Sequence, residues 1–238
     1  MGFWSSIGSA FSSACSAVCG AVSSIGSALS SFASGVGSVI AGVVSALAPV
    51  AESLGKCVSA FLQGLGILKP DEKAEDLGER ALQAAETGIT LGQFDDFDSY
   101  VDALRNFELD PEKAANRSQA EKLVAGIGIG NVGLERKFNA SPGSFDSLWL
   151  LPMANPDYFT LDRMHSLVNT GRFSGDVFAY LEKRLSAGDS SRLESALEAC
   201  TGQSEPDASS KEKLYAALDQ ASDHWKDLIQ QVQGGKGE

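Results

Sequence analysis

From Met1 to Ala51 the chain has no Asp, Glu, Lys, Arg or His, and its first charged side chain is Glu52. A stretch this long cannot make an ordinary surface helix, which places charges on its wet side. Its letters are instead Ser, Gly and Ala, interrupted by single Ile, Val, Leu and Phe residues. Those apolar residues recur in steps of eleven: Ile7, Val18, Leu29, Ile40; then Ile25, Val36, Leu47, Val58; then Phe32, Val43, Leu54, Leu65. Eleven residues are close to three helical turns, so each series lies along one stripe of an α-helix. Beside the stripe run ladders of small residues in steps of four: Gly8, Ser12, Ser16, Gly20, Ser24, Ala28, and Ser30, Ser34, Ser38, Gly42, Ala46. Small residues at that spacing let helix backbones meet closely, as they do between helices in lipid.

A flexible Gly/Ser linker would have no reason to keep a helical period. A buried hairpin and a membrane-active segment both would. The spacing predicts a helix from about Ser5 to Ala33, weakening at Gly35-Val36-Gly37, and a second to Ala48, broken at Pro49. A third is expected over Val50 to Leu68. Phe32 to Ala51 is long enough to span a bilayer, and over the whole apolar stretch Ile25, Leu29, Phe32, Val36, Ile40, Val43 and Leu47 are the expected lipid-facing residues. Phe3 and Trp4 suit an interface position.

The net charge of -12 is unevenly shared. Residues 1–69 hold two lysines and one glutamate, net +1, leaving 17 Lys+Arg against 30 Asp+Glu, net -13, for residues 70–238. Such acidity argues against a nucleic-acid partner, which needs a basic face. The lack of Lys and Arg in the apolar part also argues against an antimicrobial-type surface helix and leaves a secretory signal without its basic start. Met1-Gly2 with Ser6 matches the myristoylation pattern in letters only. Cys15 and Cys19 share a helical face, but no third ligand stands near them, and Cys57 and Cys200 are isolated. Free thiols in a reducing cytoplasm are expected.

At Lys69-Pro70-Asp71 the composition changes, and the domain boundary is placed there: a membrane-active helical region over 1–69 and a soluble acidic α-helical domain over 70–238. Helices are expected over Asp71–Thr87, stopping at Gly88, and over Asp95–Phe107, with Phe97, Val101, Leu104 and Phe107 on one face. A third, capped by Asp110-Pro111, is expected to end at Gly126. Further on, a helix over Pro156–Asn169 turns Leu161, Met164, Leu167 and Val168 inward. Another starts at Ser174, with Val177, Phe178, Leu181 and Leu185, and closes at Gly188. Asp189 then caps Leu193–Ala199, residues 202–209 link, and Ser210–Gln233 carries Leu214, Leu218, Trp225, Leu228 and Val232. No sheet is expected; the class is all-α, N-terminal amphipathic hairpins plus an acidic bundle of short helices.

Little points to catalysis. Gly128-Ile129-Gly130-Asn131-Val132-Gly133 spells G-x-G-x-x-G, but lacks the preceding strand of a dinucleotide site, and reads as a glycine-rich loop. Asp95-Asp96-Phe97-Asp98 resembles half of a calcium loop without its Gly and Glu, and reads as a helix start. His165 and His224 belong to no metal or nucleophile motif. Trp149, Tyr158 and Phe159 around Pro152 and Pro156 read as core or interface. No enzyme, metal or cofactor is expected.

The uncharged Gly/Ala/Ser ladder of residues 5–68, joined to an acidic helical remainder, resembles the glycine-zipper pore-forming effectors of bacterial type VI secretion. That resemblance implies an antibacterial toxin held soluble in the producer cytoplasm and secreted without a signal peptide. It would enter the target inner membrane, self-associate in the bilayer and dissipate ion gradients. It further implies passage with a secretion tube protein and a cognate immunity protein in the producer. In such a pore Gly8, Ser12, Ser16, Gly20, Ser24, Ser34, Ser38, Gly42 and Ala46 would form the packing seam. The competing expectation is a structural or membrane-penetrating component of a virion, phage or injection machine, with the same period used as an assembly seam.

Overall fold

A computed structural model describes residue 48, residues 51–141 and, in shorter runs, residues 144–145, 148–149, 151–152, 155, 157–169, 185–198, 212–217 and 219–220. Those residues are helical, with no strand among them, in agreement with an all-α class. They belong to two compact units that divide at Ser144.

The first unit contains α1 (Ala51–Gly64), α2 (Ala74–Glu86), a 3-10 turn (Leu91–Gln93), α3 (Phe97–Asn106), α4 (Pro111–Asn116) and α5 (Gln119–Lys137). α1 turns Leu54, Val58, Phe61 and Leu62 inward, all at most 2% exposed. Leu54 and Val58 continue two of the eleven-residue series, so that period is helical where it enters the described residues. The chain then leaves α1 through Gly66, whose φ of +72° favours glycine. The composition break at Lys69-Pro70 falls inside this packed unit, because α1 shares its core with α2 and α5.

α2 opens after Lys73 and closes where expected, at Gly88, whose φ is +88°. There the Ile89 N–H donates to the Ala84 carbonyl at 2.9 Å, a left-handed cap. α3 begins two residues later than Asp95, because Asp96 is its cap and accepts from the Ser99 N–H at 2.7 Å. Its Phe97, Val101 and Leu104 are buried and Phe107 is half-buried. Asp110 caps α4 as expected, accepting from the Glu112 and Lys113 N–H groups, with Pro111 in the first turn.

The expected single helix from Asp110 to Gly126 starts correctly but is incorrect in its continuity and at its end. The chain is extended at Arg117, and Ser118 starts a new helix through a capping box with Glu121. α5 then runs through Gly126, Gly128, Gly130 and Gly133 to Lys137, so the G-x-G-x-x-G stretch is helix and not loop. It ends at Asn139, which takes the left-handed conformation with φ of 49°. Glycine lowers helix propensity by about 1 kcal/mol per residue. Burial on nearly every side outweighs that here: Leu123 to Asn131 are all buried.

The second unit contains α6 (Leu161–Asn169) and α7 (Ala187–Glu198), which pack together, and a helical run over residues 212–217. Met164, Leu167 and Val168 face in as expected, although the helix starts at Leu161 and not at Pro156. Gly188 does not close a helix but lies in the first turn of α7, where Ser186 accepts from the Asp189 N–H. Phe145, Trp149, Phe159 and Leu214 fill this core, each 0% exposed. Tyr158 is half-buried, with the Arg163 guanidinium 4.0 Å above its ring.

One ion pair ties α3 to the entry of α2. Arg105 donates from Nε and NH2 to both oxygens of Glu72, at 2.6 and 2.9 Å, and from NH1 to Asp102 at 2.8 Å. The Arg105 guanidinium holds the Glu72 carboxyl below its ordinary value of 4.5. A lowered folded-state value gives stability that is complete above the unfolded value and is lost as pH falls through the folded one. Glu72→Gln is therefore expected to lower stability at pH 7 and to flatten its decline on acidification. Urea midpoints of both proteins at pH 7 and pH 3 measure this; a gap equally wide at both pH values would refute the assignment.

Candidate functional site

The expected packing ladder, Gly8, Ser12, Ser16, Gly20, Ser24, Ser34, Ser38, Gly42 and Ala46, lies outside the described residues. So do the expected lipid-facing residues Ile25, Leu29, Phe32, Val36, Ile40, Val43 and Leu47, and also Cys15, Cys19, Cys200 and His224. His165 is half-buried on α6. Asp96 is a helix cap, its carboxyl held below the ordinary value by the Ser99 hydrogen bond. Cys57 is half-buried on α1, and burial pushes its thiol up to about 11, far from a reactive thiolate at neutral pH. No group of three or more His, Cys, Asp or Glu side chains placed to hold a metal ion occurs among the described residues.

The structure instead assembles a glycine-built crossing of α1, α2 and α5. Gly78 of α2 meets the α5 backbone: a Cβ there would overlap the Lys122 carbonyl and come within 2.5 Å of the Gly126 nitrogen. Gly126 meets α2 in return, because its own Cβ would overlap the Ala74 carbonyl. One turn along α5, a Cβ on Gly130 would stand 2.6 Å from Leu62 Cδ1 of α1. A Cβ on Gly133 would stand 2.9 Å from the Phe97 ring. Ser59 of α1 accepts from the Ala74 N–H at 2.9 Å, fixing the third helix to the same point. Small residues four apart permit this contact, a rule written for lipid that operates here in a charged helical unit.

Sequence reasoning missed the crossing although its signal was present. Gly126 and Gly130 are spaced four apart, a pairing that no two glycines of residues 1–68 show. The overlapping letters Gly128 to Gly133 carry the opposite signal, that of a glycine-rich loop.

α2 is also the most highly charged element brought into the core. Glu75 and Glu79 are 9% and 2% exposed, and no donor among the described residues reaches the Oε2 atom of either. Glu75 lies against Gly55 of α1, where a Cβ would overlap its Oε1, and Gln119 donates to that oxygen at 3.4 Å. Glu79 is partnered through Oε1 by Arg117 NH1 and by Gln83 Nε2, each at 2.7 Å. The buried carboxylates thus sit where three helices and the α4 segment converge. What this arrangement does physically is fix α1, and with it the point at which residues 1–50 join the unit. Among the described residues no helix is long and apolar enough to cross a membrane.

No protein-family model, curated protein or solved structure matches the chain.

Overpacking a well-filled core costs about 1–3 kcal/mol. Gly126→Ala is expected to reach the top of that range, because the obstacle is backbone and cannot move aside. Gly130→Ala meets only the end of a leucine side chain and is expected to cost less. Urea denaturation followed by circular dichroism ranks the two; equal or reversed losses would show that the backbone contact at Gly126 yields as readily as the Leu62 side chain at Gly130.

Proposed function

We propose that the chain is an antibacterial pore-forming toxin. Residues 1–50 enter the target inner membrane, and the helical unit that begins at Ala51 stays outside it. The observation that carries this reading is the uncharged stretch of residues 1–51 with its eleven-residue apolar period. The helical form of that period in α1, where Leu54 and Val58 are buried, supports reading the same period upstream as helix. A small-residue face without charge is compatible with helix packing in lipid, while Ile, Val, Leu and Phe face the acyl chains. The mechanism is non-enzymatic: copies associate through Gly8, Ser12, Ser16, Gly20, Ser24, Ser34, Ser38, Gly42 and Ala46, and ions leak along the hydroxyl-lined path. With no charged ring in residues 1–51, the path discriminates weakly between cations and anions. A producer cell then needs an immunity protein in its own membrane, and delivery through a secretion tube brings the toxin to its target.

The membrane-active segment is drawn to end before α1, because α1 supplies buried side chains to the first unit. Removing residues 1–50 is therefore expected to leave a helical protein that no longer floats with liposomes, whereas the full chain does. Periplasmic expression in a bacterium with a potential-sensitive dye should show depolarisation by the full chain. Assembly without depolarisation would instead favour a structural component of a virion or injection machine. Gly42→Leu separates binding from pore formation. It raises local apolarity, which favours partitioning, but blocks the close face. Retained flotation with conductance lost in planar bilayers is expected; full conductance would mean that the ladder is not a seam.

A further inference from the structure

Residues 107–118 connect α3 to α5 and include α4. From Arg105 through Gln119 no residue is buried, in contrast to the helices on both sides. Their anchors come from one polar stripe of α2. Arg80 NH1 donates to the Phe107 carbonyl at 2.6 Å. Gln83 holds both backbone groups of Asp110, donating to its carbonyl at 3.0 Å and accepting from its N–H at 2.7 Å. Glu86 pairs with Lys113 at 2.7 Å and also with Arg117, and Arg117 reaches across to Glu79.

An element held this way differs physically from the rest of the unit. Releasing it exchanges hydrogen bonds and ion pairs for water, which is nearly balanced, and none of its own apolar side chains is buried, Phe107 and Leu109 being only half-buried. It also opens Glu79 to water, and the Oε2 of Glu79 has no donor among the described residues. A buried carboxylate oxygen without a partner carries a penalty that hydration removes. We propose that residues 107–118 form a polar strap that lifts from α2 as a unit while α1, α2, α3 and α5 remain packed. The open form presents the Glu79 and Glu86 carboxylates on a bared face of α2. This device belongs to the first unit and stands independently of whether residues 1–50 enter a bilayer.

Hydrogen exchange on the full chain, read by peptide-resolved mass spectrometry, tests the strap. Exchange across residues 108–118 is expected to be insensitive to urea at concentrations that leave helix content unchanged, the mark of local opening. Arg117→Gln should speed exchange there by about tenfold, the order expected for a lost charged hydrogen bond, while α2 and α5 keep their wild-type rates. Ala115→Ser, an exposed change that touches no anchor, should leave all rates unchanged. Raising sodium chloride to high concentration should speed the same segment in the wild-type chain, a readout that does not depend on the variant folding. Exchange across residues 108–118 that shares the urea dependence of α2 and α5, or that responds to neither salt nor Arg117→Gln, would overturn the proposal.

Discussion

Everything in the first unit depends on two helix backbones meeting at Gly78 and Gly126. The contact runs both ways: a Cβ on Gly78 would need the space of the Lys122 and Gly126 backbone, and a Cβ on Gly126 that of the Ala74 backbone. α2 and α5 therefore approach more closely than larger residues allow, and the flanking alanines of α2 extend the contact along the helix. Alanine and glycine bury little apolar area each, so the approach itself supplies dispersion contacts that bulky side chains would otherwise provide. Close approach also brings α1 into reach, with Leu62 over Gly130 and Ser59 on the Ala74 amide.

The same geometry explains why a helix rich in acids is central. α2 has Ala74 and Gly78 where it meets the α5 backbone and Glu75 against Gly55 of α1, while several of its other long polar side chains emerge along one stripe. Glu79, Gln83 and Glu86 fall on that stripe at helical spacing, and the basic side chains Lys113 and Arg117 come to it from the α4 segment. Apart from Glu75, the polar anchoring of α2 is thus gathered on one stripe, beside its packing against α1 and α5.

How much of this was legible in the sequence varies with the physics that sets each element. Caps are local, and Asp110-Pro111 and Gly88 were readable because each acts on its own neighbours. Ser118 with Glu121 is an equally local cap, but the helical spacing of the residues around it also fits a longer continuous helix. The glycine stretch of α5 failed for a different reason: intrinsic propensity argues against a helix there, and only packing against α2 reverses it. That information is non-local, since Gly126 makes sense only beside Ala74 and Gly78. Burial of Glu75 and Glu79 was illegible likewise, because a charged helix reads as a surface helix until its partners are known. The small-residue spacing was recognised as meaningful, and the described residues display it at 126–130; the ladder of residues 8–46 lies outside them.

The placement of α1 sets a distance. Ala51 is buried in the first unit, and Leu47, the last residue of the expected lipid-facing series, is only four residues before it. A chain spans at most about 3.5 Å per residue, so these two points are never more than roughly 14 Å apart. Residues 1–51 are uncharged, so the whole net charge of -12 lies in the chain that follows that tether. The screening length in physiological salt is about 8 Å. If residues 1–50 enter a bilayer as proposed, the full reach of this tether is nearly two screening lengths, so anionic lipid repels the acidic remainder only where the tether is drawn up short of that reach or the salt is low.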